Sequence, residues 1–223
     1  MDFRTFRSTF VEKYHVPPPV MTCTGRIQRI LDLGANVGFT AADLAASFPD
    51  STVVAVEMDP DNFSQAEMNT RAFGERVRCV NAAAWIHDGG VRYASGVDCD
   101  AYRVAEGGAD PCIAARSKTV DQLIDELPGQ RADFVKIDVE GAESVLLSDE
   151  NSAWLARVAS LNVEVHEGPV VLARLVEALE RSGFVVRKSS SRGVSLWAWR
   201  PSKLVCCGRR EAPETLSMIR SGL

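Results

Sequence analysis

Asp32-Leu33-Gly34-Ala35-Asn36-Val37-Gly38-Phe39-Thr40 is the stretch on which the reading of the fold turns. An apolar run from Ile27 to Leu33 leads into it, and a helical pattern from Ala41 to Phe48 leaves it. The stretch therefore reads as strand, tight turn and helix. Gly34 and Gly38 permit the sharp turn and let a ligand come close to the backbone. Working outward, Thr52 to Val56 reads as a strand, Asn62 to Phe73 as a helix and Val77 to Ala83 as a strand. Gly89-Gly90 turns the chain into a short strand at Val91 to Tyr93. Thr119 to Leu127 has helical spacing with Thr119 as its N-cap. Phe134 to Val139 is a strand, Ala142 to Leu147 a helix, Leu161 to His166 a strand and Val170 to Ser182 a helix. Beyond Gly183, Phe184 to Arg187 and Val194 to Trp199 pair as a closing hairpin. The alternation predicts an α/β fold with a mainly parallel seven-stranded sheet, helices on both faces and an antiparallel edge hairpin.

Around this domain, residues 26–200, the sequence predicts two appendages. Residues 1–25 comprise a short helix over 2–14 and a connector stiffened by Pro17-Pro18-Pro19. Residues 201–223 form a weakly basic tail, and residues 95–111, rich in Gly, Asp and Ala, read as an exposed excursion. His15 and His87 read as loop or surface residues. Trp197 and Trp199 share one strand face and read as core packing.

Of the 223 residues, 46% are hydrophobic and 25% charged, an ordinary globular balance. The net charge of −5 argues against a nucleic-acid partner, since phosphate binding needs a basic surface. No apolar run approaches the roughly 18 residues of a membrane span. Met1 to Arg7 leads into no apolar signal core, so a cytoplasmic protein without membrane contact is expected. The six cysteines include no C-x-x-C pair and signal neither zinc nor redox chemistry.

The glycine turn opens a helix whose free N–H groups suit a carboxylate. Glu57 ends the second strand, where an acid can accept both hydroxyls of a ribose. The dinucleotide pattern G-x-G-x-x-G is absent, with Asn36 and Phe39 at its second and third glycine positions. The D-x-G-x-N-x-G pattern followed by an acid favours S-adenosylmethionine, which has no phosphate. Candidate cofactor residues are Asp32, Gly34, Ala35, Asn36, Gly38, Thr40 and Glu57. Met58 is a candidate for the adenine face, and Asn81, Ala82 and Ala83 for adenine contact at the end of the third strand.

Charged groups inside a doubly covered sheet are expensive unless paired. Alternation puts Phe134, Lys136, Asp138 and Glu140 on one side of their strand, and Asn162, Glu164 and His166 together on the next. Lys136 and Glu164 are expected to form a structural ion pair. Asp138, Glu140, His166 and Glu167 lie nearer the carboxyl ends, where open parallel sheets bind ligands.

At Val135-Lys136-Ile137-Asp138-Val139-Glu140-Gly141-Ala142-Glu143 the chain resembles the FkbM-like family of methyltransferases. Further marks are the Asp32 to Gly38 loop, Asn81-Ala82-Ala83 and Val163-Glu164-Val165-His166-Glu167, so the resemblance spans about residues 27 to 199. It departs at Met58-Asp59-Pro60, where a proline more usually follows the acid directly. The resemblance implies a Rossmann-like class I methyltransferase that uses S-adenosylmethionine. It also implies O-methylation of a small molecule such as a sugar or polyketide-type metabolite. An alcohol acceptor must lose its proton, and Asp138 and His166 are the candidate catalytic bases, with Glu140 orienting the substrate or His166. A divalent metal held by Asp138, Glu140 and Glu167 is the second-ranked route. The rivals are a nucleic-acid methyltransferase, a dehydrogenase and a catalytically idle S-adenosylmethionine-binding module. An amino-methylating nucleic-acid enzyme needs a D/N-P-P-Y/F/W loop, and Asp138-Val139-Glu140-Gly141 stands in its place. Pro111-Cys112 resembles a cytosine-carbon nucleophile but precedes the fourth strand and reads as a loop cysteine.

Overall fold

A computed structural model of the chain describes residues 6–18, 26–95, 102–104, 112–166, 168–189 and 194–201. From the N-terminus, β1 (Arg29–Leu33), α1 (Phe39–Ser47), β2 (Thr52–Glu57), α2 (Pro60–Thr70) and β3 (Val77–Asn81) alternate. Then come β4 (Ala83–Trp85), β5 (Gly89–Ser95), β6 (Tyr102–Val104), β7 (Cys112–Thr119) and α3 (Val120–Asp125). β8 (Phe134–Ile137), α4 (Glu143–Leu146), β9 (Ser160–Val165), α5 (Pro169–Arg181), β10 (Val185–Ser189) and β11 (Val194–Trp199) complete the described elements.

The main sheet has seven strands in the order β10-β11-β9-β8-β1-β2-β3. β1 lies parallel between β2 and β8, and β11 runs antiparallel to both β9 and β10. The chain leaves β1 toward β2 on one side and later returns to β8 on the other. The carboxyl ends of β1 and β8 thus flank the crevice where such sheets take ligands. Apolar side chains fill both faces. Leu31, Leu33, Val135, Ile137 and Val163 belong to one core, and Ile30, Leu44, Val53 and Phe134 to the other. Because successive residues point to opposite faces, a doubly covered strand is a nearly continuous apolar run, and any charge within it needs a partner. Trp199 is buried and Trp197 stacks on Phe134 with ring centroids 6.2 Å apart, which is core packing.

Three sequence expectations need correction here. A second sheet, β4-β7-β5-β6, stands where one short strand and an excursion were expected. β6 pairs antiparallel with β5, so part of 95–111 is ordered structure, while 96–101 and 105–111 lie outside the described residues. The helix expected over 2–14 contains a π-helical turn, Ser8–Glu12, which ends at Lys13 in a left-handed conformation. Phe6 and Phe10 pack against Phe39 of α1. His15, expected at the surface, is fully buried, with Nε2 3.0 Å from Asp43 Oδ2. Asp43 lies on the buried side of α1, and a carboxylate there requires partners; His15 and Lys13 provide them. His87 is exposed. Residues 202–223, nearly all of the expected tail, lie outside the described residues. Among the described residues no helix is long and apolar enough to cross a membrane.

Candidate active site

The turn after β1 is built from left-handed residues, with φ of +79° at Gly34, +50° at Asn36 and +80° at Gly38. Asn36 tolerates this because its Oδ1 accepts a hydrogen bond from the Val37 N–H at 2.7 Å. A Cβ on Gly34 would fall 1.7 Å from the carbonyl oxygen of Asp138, and one on Gly38 would fall 2.8 Å from the Ala66 backbone. The missing side chains therefore make room for the chain itself, closing β1 on β8 and α1 on α2. Glu57, at the end of β2, braces this turn from the other side. One carboxylate oxygen accepts from the Asn36 N–H and the other from the Asp59 N–H, both at 2.8 Å. Burial pushes its pKa up to about 7, against the lowering effect of those two amide bonds; the Asp59 charge adds to the rise and Lys136 opposes it. Among the described residues no cation lies within ion-pairing distance of Glu57.

These residues border an open cleft at the carboxyl ends of the strands. Of the expected cofactor residues, Gly34, Asn36, Glu57, Met58, Ala82 and Ala83 line it. Asp32, Ala35, Gly38, Thr40 and Asn81 are not among its lining residues. Asp32 is wholly buried, and Asn81 donates to the carbonyl of Glu57 at 2.9 Å and that of Met58 at 3.2 Å, bracing the loop. Asn62, Ala84, Val139 and Ala142 also line the cleft and had no assigned role. Ala84 extends the Asn81-Ala82-Ala83 run by one residue, a signal that was available. The Met58-Asp59-Pro60 departure has a local cause. Asp59 caps α2, accepting from the N–H groups of Asp61 and Asn62, and Pro60 begins the helix.

Asp138 and Glu140 line the same cleft from the other strand. After β8 the chain turns with φ of +50° at Glu140 and +95° at Gly141. This brings Asp138 Oδ1 to 3.5 Å and Glu140 Oε2 to 3.6 Å from His166 Nε2, just past the end of β9. His166 Nδ1 lies 2.8 Å from Glu143 Oε1. Glu143 is fully buried and accepts a second bond from the Gly141 N–H at 2.9 Å. Its place in the motif was visible in the sequence, its contact with His166 was not. Burial disfavours charge on His166, but the hydrogen bond to Glu143 and the charges of Glu143, Asp138 and Glu140 prevail and push the pKa up to about 9. Glu167, the remaining expected group, lies outside the described residues.

The partners of Lys136 also differ from expectation. Its ammonium is 3.1 Å from Asp138 Oδ2 and 3.4 Å from Asp32 Oδ1, and it donates to the Gly34 carbonyl at 3.3 Å. Glu164 acts on the ammonium through the field and not at ion-pair distance, because Lys136 sits opposite Asn162 in the β8–β9 register. Burial opposes the Lys136 charge, and the neighbouring carboxylates, Asp138 first, outweigh it and hold the pKa well above its ordinary value.

A crevice at the carboxyl ends of β1 and β8, with an acid ending β2, defines the class of Rossmann-like methyltransferases. Solved structures agree on the fold. The precorrin-6y C5,15-methyltransferase of Geobacter metallireducens GS-15 superposes with a TM-score of 0.50 at 16% identity, over 82% of this chain and 86% of that one. The METTL16 methyltransferase domain superposes with a TM-score of 0.51 at 15% identity, over 78% of this chain and 59% of that one. No curated protein matches the sequence. The Methyltransferase FkbM domain matches residues 32–186, and the chain belongs to that family. It is an S-adenosylmethionine-dependent methyltransferase.

Proposed function

We propose that the chain methylates a hydroxyl group of a small molecule, binding S-adenosylmethionine in the cleft between β1, β2 and β8. The observation that carries this reading is that Asp138 and Glu140 line the same cleft as Asn36 and Glu57. Groups able to act on an acceptor proton thus border the space that takes the methyl donor. Bound S-adenosylmethionine supplies a methyl group on sulfur that an oxygen nucleophile can take, leaving a neutral thioether. Glu57, buried and with no cation in pairing distance among the described residues, suits the hydroxyl donors of a ribose. The turn from Gly34 to Gly38 and the Ala82-Ala83-Ala84 backbone fix the remainder of the ligand. Holding donor and acceptor in line supplies up to roughly 7–11 kcal/mol of the barrier reduction. An alcohol must also lose its proton. Asp138 and His166 are the groups proposed to take it, with Glu140 orienting the substrate or the imidazole.

The acidic balance of the chain and the absence of a D/N-P-P-Y/F/W loop at Asp138 favour a small acceptor over a nucleic acid. The test is methyl-labelled S-adenosylmethionine offered with panels of hydroxylated metabolites, amines and RNA. Label is expected in an ether product, with kcat/KM reduced by about 10²–10⁴ in Asp138→Asn. Label only in RNA or in amines would overturn the reading, and no turnover across the panels would favour a binding module.

A further inference from the structure

We infer that Asp138, Glu140 and His166 together hold a divalent cation, and that the two carboxylates act on the acceptor hydroxyl through it. The inference deepens the O-methyltransferase reading, on which its chemical role rests. One donor atom from each of the three residues lies within 4.8 Å of the others. Ligand atoms about 2.0–2.1 Å from one ion are spaced roughly 3–4 Å apart. The distances from His166 Nε2, 3.5 Å to Asp138 Oδ1 and 3.6 Å to Glu140 Oε2, fall in that interval.

The histidine supplies an independent argument. Its Nδ1 is committed to Glu143, which is wholly buried and is itself fixed by the Gly141 N–H. A carboxylate on one ring nitrogen orients the ring and directs the lone pair of the other at a metal. Here that other nitrogen faces both cleft carboxylates. Burying Glu143 solely to aim an imidazole at two acids would be a poor exchange for stability; aiming it at a cation gives the arrangement a use. Lys136 holds Oδ2 of Asp138, which leaves Oδ1 for the ion.

Two carboxylate oxygens and one imidazole suit manganese better than magnesium, and three protein ligands leave positions for an acceptor hydroxyl and water. A hydroxyl held there gives its proton to water more readily. Its oxygen then forms the new bond to the methyl carbon as the carbon–sulfur bond breaks, with that electron pair remaining on sulfur.

The test is titration of the full chain with Mn²⁺, with the free ion followed by electron paramagnetic resonance. One Mn²⁺ per chain is expected, bound at least tenfold more weakly in Glu140→Gln and in Asp138→Asn. Glu143→Gln is expected to weaken it about 10–100-fold through the ring. Glu140 stands on a turn outside any strand, so Glu140→Gln retains the fold, which its melting curve checks. No binding at millimolar Mn²⁺, or binding unmoved in Glu140→Gln, overturns the inference. Hydroxyl methylation at full rate by metal-stripped protein also overturns it and leaves the O-methyltransferase reading standing. Mn²⁺ bound as expected by a chain that methylates no hydroxyl upholds the site and overturns that reading.

Discussion

Glu57 has two duties, since the carboxylate that would receive a ribose already accepts the Asn36 and Asp59 amides. Glu57→Gln is expected to weaken S-adenosylmethionine binding by about 1.5–3 kcal/mol, the range for a hydrogen bond to a charged group, as measured by calorimetry. The same residue gives a pH signature. Its folded pKa of about 7 exceeds the ordinary 4.5, so the folded chain holds the extra proton between those values. The Glu57 contribution to stability is then fully present below about pH 4.5 and is lost as pH rises through about 7. The groups facing it are the two amides, the Asp59 carboxylate and Lys136. Melting curves across that window should slope less in Glu57→Gln, and cofactor affinity should rise with pH because the ligand prefers the ionised acid. An unchanged slope would show that Glu57 does not titrate there. Lys136 presents the opposite case, a buried cation between Asp32 and Asp138. Lys136→Met alone is expected to cost about 3–5 kcal/mol by stranding Asp32. Adding Asp32→Asn should recover much of that loss, and a urea double-mutant cycle without coupling would exclude the pair.

Among the elements, Gly34, just past β1, abuts the Asp138 backbone just past β8. Gly34→Ala adds a methyl group that meets the Asp138 carbonyl oxygen, in a backbone conformation that already disfavours a side chain. Gly129→Ala has the second handicap alone, because an added Cβ there meets only the end of the Arg29 side chain at an ordinary 3.7 Å. The Gly129 change is expected to cost about 1–2 kcal/mol. The Gly34 change should cost a further 1–3 kcal/mol or so, as overpacking does. Equal losses in denaturant titrations would mean that the β1–β8 approach yields easily. The central parallel strands were legible in the sequence because they are mainly apolar on both faces, and Thr119 caps α3 as its spacing implied. β7 was not, because Cys112-Ile113-Ala114-Ala115-Arg116-Ser117 alternates small and polar residues too weakly to announce a face. Alternation also told which face Lys136 and Glu164 share but not the register between strands. That register sets Lys136 against Asn162, and Asp32 and Asp138 take the ammonium. The two cleft carboxylates were legible because charge at the end of a buried strand needs a cause. The ties of Glu143 to His166 and of His15 to Asp43 depend on how distant segments return, which local pattern does not encode.

For the whole molecule, the cleft joins three strands from both halves of the sheet: Gly34 follows β1, Glu57 ends β2 and Asp138 follows β8. A ligand there binds only when those strands are assembled, so it binds the folded chain and not the unfolded one. At a hundred times its Kd such a ligand stabilises by about 2.7 kcal/mol. In a domain of this size each kcal/mol raises Tm by roughly 2–4 °C, so a rise of about 5–11 °C is expected with S-adenosylmethionine. Its demethylated product should give a smaller rise at equal concentration. In the metal-free chain the cleft carries Glu57, Asp138 and Glu140 as bare acids, and the product lacks the sulfonium charge that they attract. Because that difference is electrostatic, added salt should narrow it. NADH should leave Tm unmoved, since the turn lacks the glycines that admit a pyrophosphate. RNA should do the same at moderate salt, given the net charge of −5. A rise with NADH and none with S-adenosylmethionine would refute the assignment of the cleft. Equal rises for S-adenosylmethionine and its product at every salt concentration would instead place the sulfur beyond the reach of the acids, and with it the methyl group away from Asp138.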